Sequence, residues 1–128
     1  MSVEDLCRSY LAALTSNDLE SVRAFFTADA VVISPLYGRR RAHEFYAEVI
    51  AHTAKAEATI LRIFNSADHS AVAVHFRYIW TFPSGKEVDF ECVDIFELAE
   101  DRQSFTKLTI IYDTAPLRDE FAPLRSTE

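Results

Sequence analysis

Val88-Asp89-Phe90-Glu91-Cys92-Val93-Asp94-Ile95-Phe96-Glu97-Leu98 alternates with a period of two, the pattern of a half-buried strand. Val88, Phe90, Cys92, Phe96 and Leu98 share one face, while Asp89, Glu91 and Glu97 take the other. Asp94 breaks the rule, because it falls on the apolar face. Desolvating a carboxylate is costly, so a buried one raises its pKa or finds a partner. Asp94 is therefore a candidate for proton chemistry. The alternative is a buried acid satisfied by Tyr10 or a backbone N–H, with no chemistry attached.

Working outward, the second half of the chain reads as strand after strand. Residues 58–64, 71–82, 87–98 and 105–113 are expected strands, separated by polar turns and by Pro83-Ser84-Gly85-Lys86. In the long strand 71–82, Val72, Val74, Phe76, Tyr78, Trp80 and Phe82 share a face; in the last, Leu108, Ile110 and Tyr112 do. The first half is helical. Ser2 with Asp5 resembles a capping box ahead of Val3, Leu6, Cys7, Tyr10, Leu11 and Leu14 at helical spacing, which predicts a helix ending near Thr15. Asn17 and Asp18 are expected to cap a second helix carrying Leu19, Val22, Phe25 and Phe26. Residues 30–33 form a short β-branched strand that Ser34-Pro35 ends, Gly38 marks a turn, and residues 41–53 make a third helix. Helices followed by strands on short turns predict an α+β fold with an antiparallel meander, its apolar face covered by helices. A strongly curved sheet of this kind makes a cone with an opening, where small ligands bind. The whole chain, 1–128, reads as a single domain, with 114–128 an irregular tail.

Composition narrows the partners. Hydrophobic residues make up 49% of 128, with ten Phe, which argues against disorder. A net charge of −7 argues against nucleic acid or an anionic membrane surface. The one basic run, Arg39-Arg40-Arg41, reads as a solvated loop or an anion contact at a pocket rim. Cys7 and Cys92 both fall on apolar faces and are expected as buried free thiols. The acidic N-terminus shows no signal-peptide pattern, and no apolar run approaches a membrane span, so a cytoplasmic location is expected. No His/Cys/Asp spacing resembles a metal site, and with only Gly38 and Gly85 present no phosphate-cradling loop exists, so no metal or cofactor is expected. Trp80, Phe76, Tyr78, Phe90 and Phe96 form an inward aromatic lining, either core or the wall of a pocket for a flat apolar ligand, with Tyr112 as a further pocket residue. His75 and Arg77 belong on the outer face with Val93 and Ile95, a surface suited to a homodimer.

The segment from Arg8 to Leu19 resembles the first helix and turn of the ketosteroid-isomerase and SnoaL-like group of the NTF2-like superfamily. Phe25-Phe26-Thr27-Ala28-Asp29-Ala30-Val31 is similar to that group's entry into the first strand, and Val93-Asp94-Ile95-Phe96 to its Asp-bearing strand. The resemblance implies a cone-shaped NTF2-like (cystatin-like) fold with a deep apolar pocket, commonly dimeric through the outer sheet face. In ketosteroid isomerases a helix Tyr and a protonated strand Asp donate to an oxyanion while a second Asp shuttles the proton, a system that is itself the standard example of a carboxylic acid kept neutral by an apolar site. By position the donors fall on Tyr10 and Asp94, and the shuttle falls on Ser34. A serine hydroxyl has no useful basicity near neutral pH. Two readings follow. One is a cofactor-independent isomerase, cyclase or lyase acting on an apolar, carbonyl-bearing substrate of polyketide or steroid type, with Asp94 and Tyr10 in the pocket. The other is a non-catalytic ligand-binding or dimerisation module.

Overall fold

The computed structural model describes residues 1–119. Three helices, α1 (Val3–Thr15), α2 (Leu19–Arg23) and α3 (Ala42–Ala51), accompany six strands: β1 (Phe26–Ser34), β2 (Gly38–Arg41), β3 (Lys55–Asn65), β4 (Ala71–Thr81), β5 (Glu87–Leu98) and β6 (Phe105–Ile111). Each helix start follows from local chemistry. The Ser2 hydroxyl accepts from the Asp5 N–H at 3.0 Å and caps α1. Asp18 alone caps α2, accepting from the Ser21 N–H at 3.2 Å. Asn17 instead takes a left-handed conformation (φ 56) just past α1 and donates its side-chain amide to the Thr53 carbonyl at 3.1 Å.

The six strands form one curved, unclosed sheet in the order β2-β1-β6-β5-β4-β3. From β3 to β6 it is the expected antiparallel meander, and β4 pairs with β5 without interruption from Ala71↔Glu97 to Thr81↔Glu87. One pairing departs from the expected antiparallel sheet: β1 runs parallel to β6. The chain reaches β6 only after the whole meander has turned back, so the first strand meets the last with their directions aligned. β1 also begins at Phe26, which the sequence pattern assigns to a helix. Extended backbone there is secured by the β6 pairing Phe26↔Phe105, a contact far away in sequence.

The Arg39-Arg40-Arg41 run lies in β2, an edge strand antiparallel to β1, rather than in the expected loop. Gly38, with φ +75, turns the chain back so that β2 pairs with β1 from Ser34↔Gly38 to Val31↔Arg41. Charge on an edge strand also blocks pairing with other chains. Arg40 reaches Glu48 of α3 at 2.7 Å.

Alternate residues of β4 and β5 point into the concavity, where α1 packs against β3 and α3 against β1. Both cysteines are buried and free. The expected irregular tail makes a hydrogen-bonded turn from Thr114 to Arg118 and buries Leu117 completely; its part from 120 onward lies outside the described residues. No helix among the described residues is long and apolar enough to cross a membrane.

Candidate functional site

The inward rows of β4 and β5 meet α1 and α3 around a cavity. It has a volume of about 60 Å³, enough to admit water and a small guest. All five tyrosines of the chain, Tyr10, Tyr37, Tyr46, Tyr78 and Tyr112, line it. Phe76, Trp80, Phe90, Ser34, Cys92 and Asp94 complete much of the wall, and among the described residues no Lys, Arg or His lines it.

Asp94 is 3% exposed. Its carboxyl accepts one hydrogen bond found among the described residues, a weak one from the Cys92 thiol at 3.4 Å. Burial pushes the Asp94 carboxyl up to about 7, against which the thiol bond pulls weakly downward. At neutral pH the acid and its carboxylate therefore coexist, the condition under which one group both gives and takes protons well. The Cys92 thiol is itself driven far up, by burial first and then by the charge of Asp94, so it donates and does not act as a nucleophile.

Tyr10 and Tyr46 hydrogen-bond to each other through their hydroxyls across α1 and α3. Both are at most 1% exposed and both hydroxyls are held well above the ordinary phenol range, by burial first and then by neighbouring acids including Asp94. Whichever hydroxyl donates within the pair, the proton of the other remains for a ligand oxygen or the Asp94 carboxyl. Tyr78 is likewise raised by burial and then by Asp94. Burial also raises Tyr112, and its hydrogen bond with Ser34 opposes that shift.

Ser34, at the shuttle position implied by the resemblance, has a local task. Its hydroxyl oxygen accepts the N–H groups of Leu36 at 3.3 Å and Tyr37 at 3.2 Å, closing the turn into β2. That turn places Tyr37 in the wall, with its hydroxyl 2.8 Å from His52 Nδ1. Trp80 is positioned from behind: its indole N–H donates to the Thr53 hydroxyl at 2.8 Å, and that hydroxyl donates to the Val49 carbonyl at 2.7 Å. Thr53→Val keeps the shape and removes Trp80's acceptor. It is expected to lower stability by about 1–3 kcal/mol, read from the urea midpoint; an unchanged midpoint would show that the indole finds another partner.

Of the residues singled out in the sequence, Tyr10, Ser34, Phe76, Tyr78, Trp80, Phe90, Asp94 and Tyr112 converge on this one cavity. Phe96 does not. It is stacked on Phe105 at 4.2 Å and set edge-on to Tyr10 at 5.1 Å, buried in the core rather than lining the pocket. Strand parity places Phe96 on the correct face, but the helices fill the concavity at that end. Tyr37, Tyr46 and Cys92 line the cavity without having been singled out for it by the sequence, and of these Tyr46 bears most on the chemistry. The available signal was chemical: a buried tyrosine needs a partner for its hydroxyl, and Tyr10 and Tyr46 each supply the other's.

Residues 7–104 match the family model described as SnoaL-like domain. No curated protein sequence matches the chain. Among solved structures, the epoxide hydrolase/cyclase-like enzyme SalBIII, which functions in pyran ring formation in the polyether salinomycin, superposes with a TM-score of 0.75 at 16% identity, over 89% of this chain and 92% of that one. A hypothetical protein with a ketosteroid isomerase-like fold from Catenulispora acidiphila DSM 44928, in complex with trimethylamine, gives 0.76 at 12% identity over 91% and 92%. A putative polyketide cyclase from Pseudomonas putida KT2440 gives 0.73 at 17% identity over 95% and 97%. Identities this low establish the shared NTF2-like fold.

Proposed function

We propose that this chain, which belongs to the SnoaL-like domain family, binds a small apolar, carbonyl-bearing molecule and moves a proton on it without a cofactor. The observation that carries the reading is Asp94: a carboxyl 3% exposed, with no cationic partner among the described residues, in the wall of a cavity that also holds two paired phenols. As carboxylate, Asp94 would take a proton from the carbon next to the carbonyl. The Tyr10–Tyr46 pair would donate to the carbonyl oxygen as charge develops there, and donors already in place need no reorganisation at that moment. As carboxylic acid, Asp94 would return the proton to a second carbon of the enolate, completing an isomerisation; or, once the enolate carbon has bonded to a second carbonyl carbon of the same molecule, it would protonate the alkoxide oxygen formed there, completing a ring closure. Since Ser34 is engaged by two backbone N–H groups, Asp94 serves as both acid and base.

Cavity size narrows the substrate class. A cavity of about 60 Å³ with aromatic walls suits one carbonyl-bearing ring or a short polyketide-like segment. The presence of a cyclase-like enzyme and a putative polyketide cyclase among the structural neighbours supports the same class. The test is solvent-deuterium exchange next to the carbonyl of cyclic enones and short polyketide-like diketones, followed by NMR. Accelerated exchange supports the reading. Binding of these compounds without exchange supports a non-catalytic binding module instead.

The assembly we infer is a homodimer through the outer sheet face. Phe64 and Ile111 are about half exposed there, and Val93 and Ile95 continue the apolar surface between β4 and β6. The charges on that face are largely paired already, His75 with Glu91 and Arg77 with Asp89. Sedimentation is expected to give a dimer that Ile111→Glu converts to monomer; a wild-type monomer would refute the assembly.

A further inference from the structure

We propose that the pocket also receives a small organic cation, an alkylammonium group seated in an aromatic box beside Asp94. The box is built from four rings. Phe76 and Tyr78 stand at 88° with centroids 6.0 Å apart, Tyr78 and Phe90 at 76° and 5.8 Å, and Phe90 and Tyr112 at 44° and 5.1 Å. Such edge-on contacts are ordinary aromatic packing; what makes a box of these four rings is that all of them line the cavity that also holds Asp94. A cation within about 6 Å of several ring faces is attracted by each of them, and more strongly where water is excluded.

The charge inventory points the same way. Among the described residues Asp94 is the one carboxyl in the wall, and none of the lining residues carries positive charge. An anionic guest would meet this carboxyl with no cation to receive it, whereas an ammonium guest would supply the absent counter-charge. A trimethylammonium head matches the small cavity, and its methyl groups match the apolar wall. The chain's net charge of −7 favours the approach of a cation over long range. The inference concerns occupancy alone and does not require turnover.

The pH dependence has a single source. The titratable groups around Asp94 are Cys92 on its own strand, Tyr78 on β4, Tyr10 and Cys7 on α1, Tyr46 on α3 and Tyr112 after β6. Each is raised by burial, Cys7 to about 12 and the others beyond the range of ordinary solution, so all stay neutral across the pH range of interest. Tyr37 of the wall hydrogen-bonds His52 Nδ1 at 2.8 Å, and His52→Asn is the control for that contact. A permanently charged ligand prefers the ionised carboxylate. Its affinity should therefore rise with pH through about 7, level off above it, and at low pH fall towards that of an uncharged ligand of the same shape.

The experiment is calorimetric titration of the full chain at pH 8 with choline and with its uncharged carbon isostere, 3,3-dimethyl-1-butanol. Choline is expected to bind at least ten times more tightly, and Asp94→Asn to bring the two within about twofold. Phe90→Leu, which removes a wall of the box without touching the acid, is expected to weaken choline about three- to tenfold and to leave the alcohol nearly unchanged, so the inference stays testable if the Asp94 variant misfolds. Equal binding of the two probes, binding of neither, or a choline preference that survives Asp94→Asn would overturn it. Choline binding in a protein that catalyses no exchange would refute the catalytic reading alone.

Discussion

Asp94→Asn is expected to lower the rate of proton exchange on a bound carbonyl compound by about 10²–10⁴-fold, the usual contribution of a positioned general acid–base, while leaving ligand affinity within a few-fold of wild type. The amide matches the carboxyl in shape and cannot take a proton from carbon. Ser34 is tied to the Leu36 and Tyr37 N–H groups. The Cys92 thiol and the Tyr10, Tyr46, Tyr78 and Tyr112 hydroxyls are driven upward, away from the working range. Wild-type rates should also depend on pH around 7, where burial places the Asp94 carboxyl. Exchange that persists in the variant would remove Asp94 from the chemistry.

The same substitution is expected to make the protein more stable at high pH. The Asp94 carboxyl sits at about 7 in the fold and at 3.8 when free. The folded state therefore holds this proton more tightly than the unfolded chain does. Its favourable contribution is fully present below about pH 4, where both states are protonated. It is lost as pH rises to about 7, because the unfolded chain releases the proton first, and above that the cost of a buried charge is constant. At roughly 1.4 kcal/mol per pH unit, the loss amounts to about 4 kcal/mol. Urea unfolding of wild type and Asp94→Asn should give similar stabilities near pH 4 and a variant more stable by up to about 4 kcal/mol at pH 8. A difference that does not change with pH would mean that Asp94 is not desolvated in the folded protein. Together the two results describe a group retained at a cost in stability, the usual mark of a functional acid in an apolar site.

Much of this was written locally along the chain. The period-two run from Val88 to Leu98 defines β5 and puts Asp94 on the inner face, and the structure keeps that strand from Glu87 to Leu98. The caps at Ser2 and Asp18 place the first two helices. Periodicity reports which residues share a face because it depends only on backbone pleat and helical rise, and those are properties of neighbours in sequence.

What faces what across the interior was decided by tertiary structure. The parallel β1–β6 pairing extended the first strand back to Phe26 and enclosed the concavity, and no local pattern announces it. Tyr10 was placed on the correct helix face by its spacing, but its partner proved to be Tyr46, 36 residues away, and not Asp94. Phe96 and Phe90 are equivalent by strand parity, yet one is core and the other pocket wall. The difference lies in where the helices cross the curved sheet and fill its concave face. That is a matter of three-dimensional closure, to which a one-dimensional repeat is blind. The sequence determined the fold family and the acid in an apolar place; the packing of α1 and α3 over the sheet determined which phenols surround that acid and how much space remains beside it.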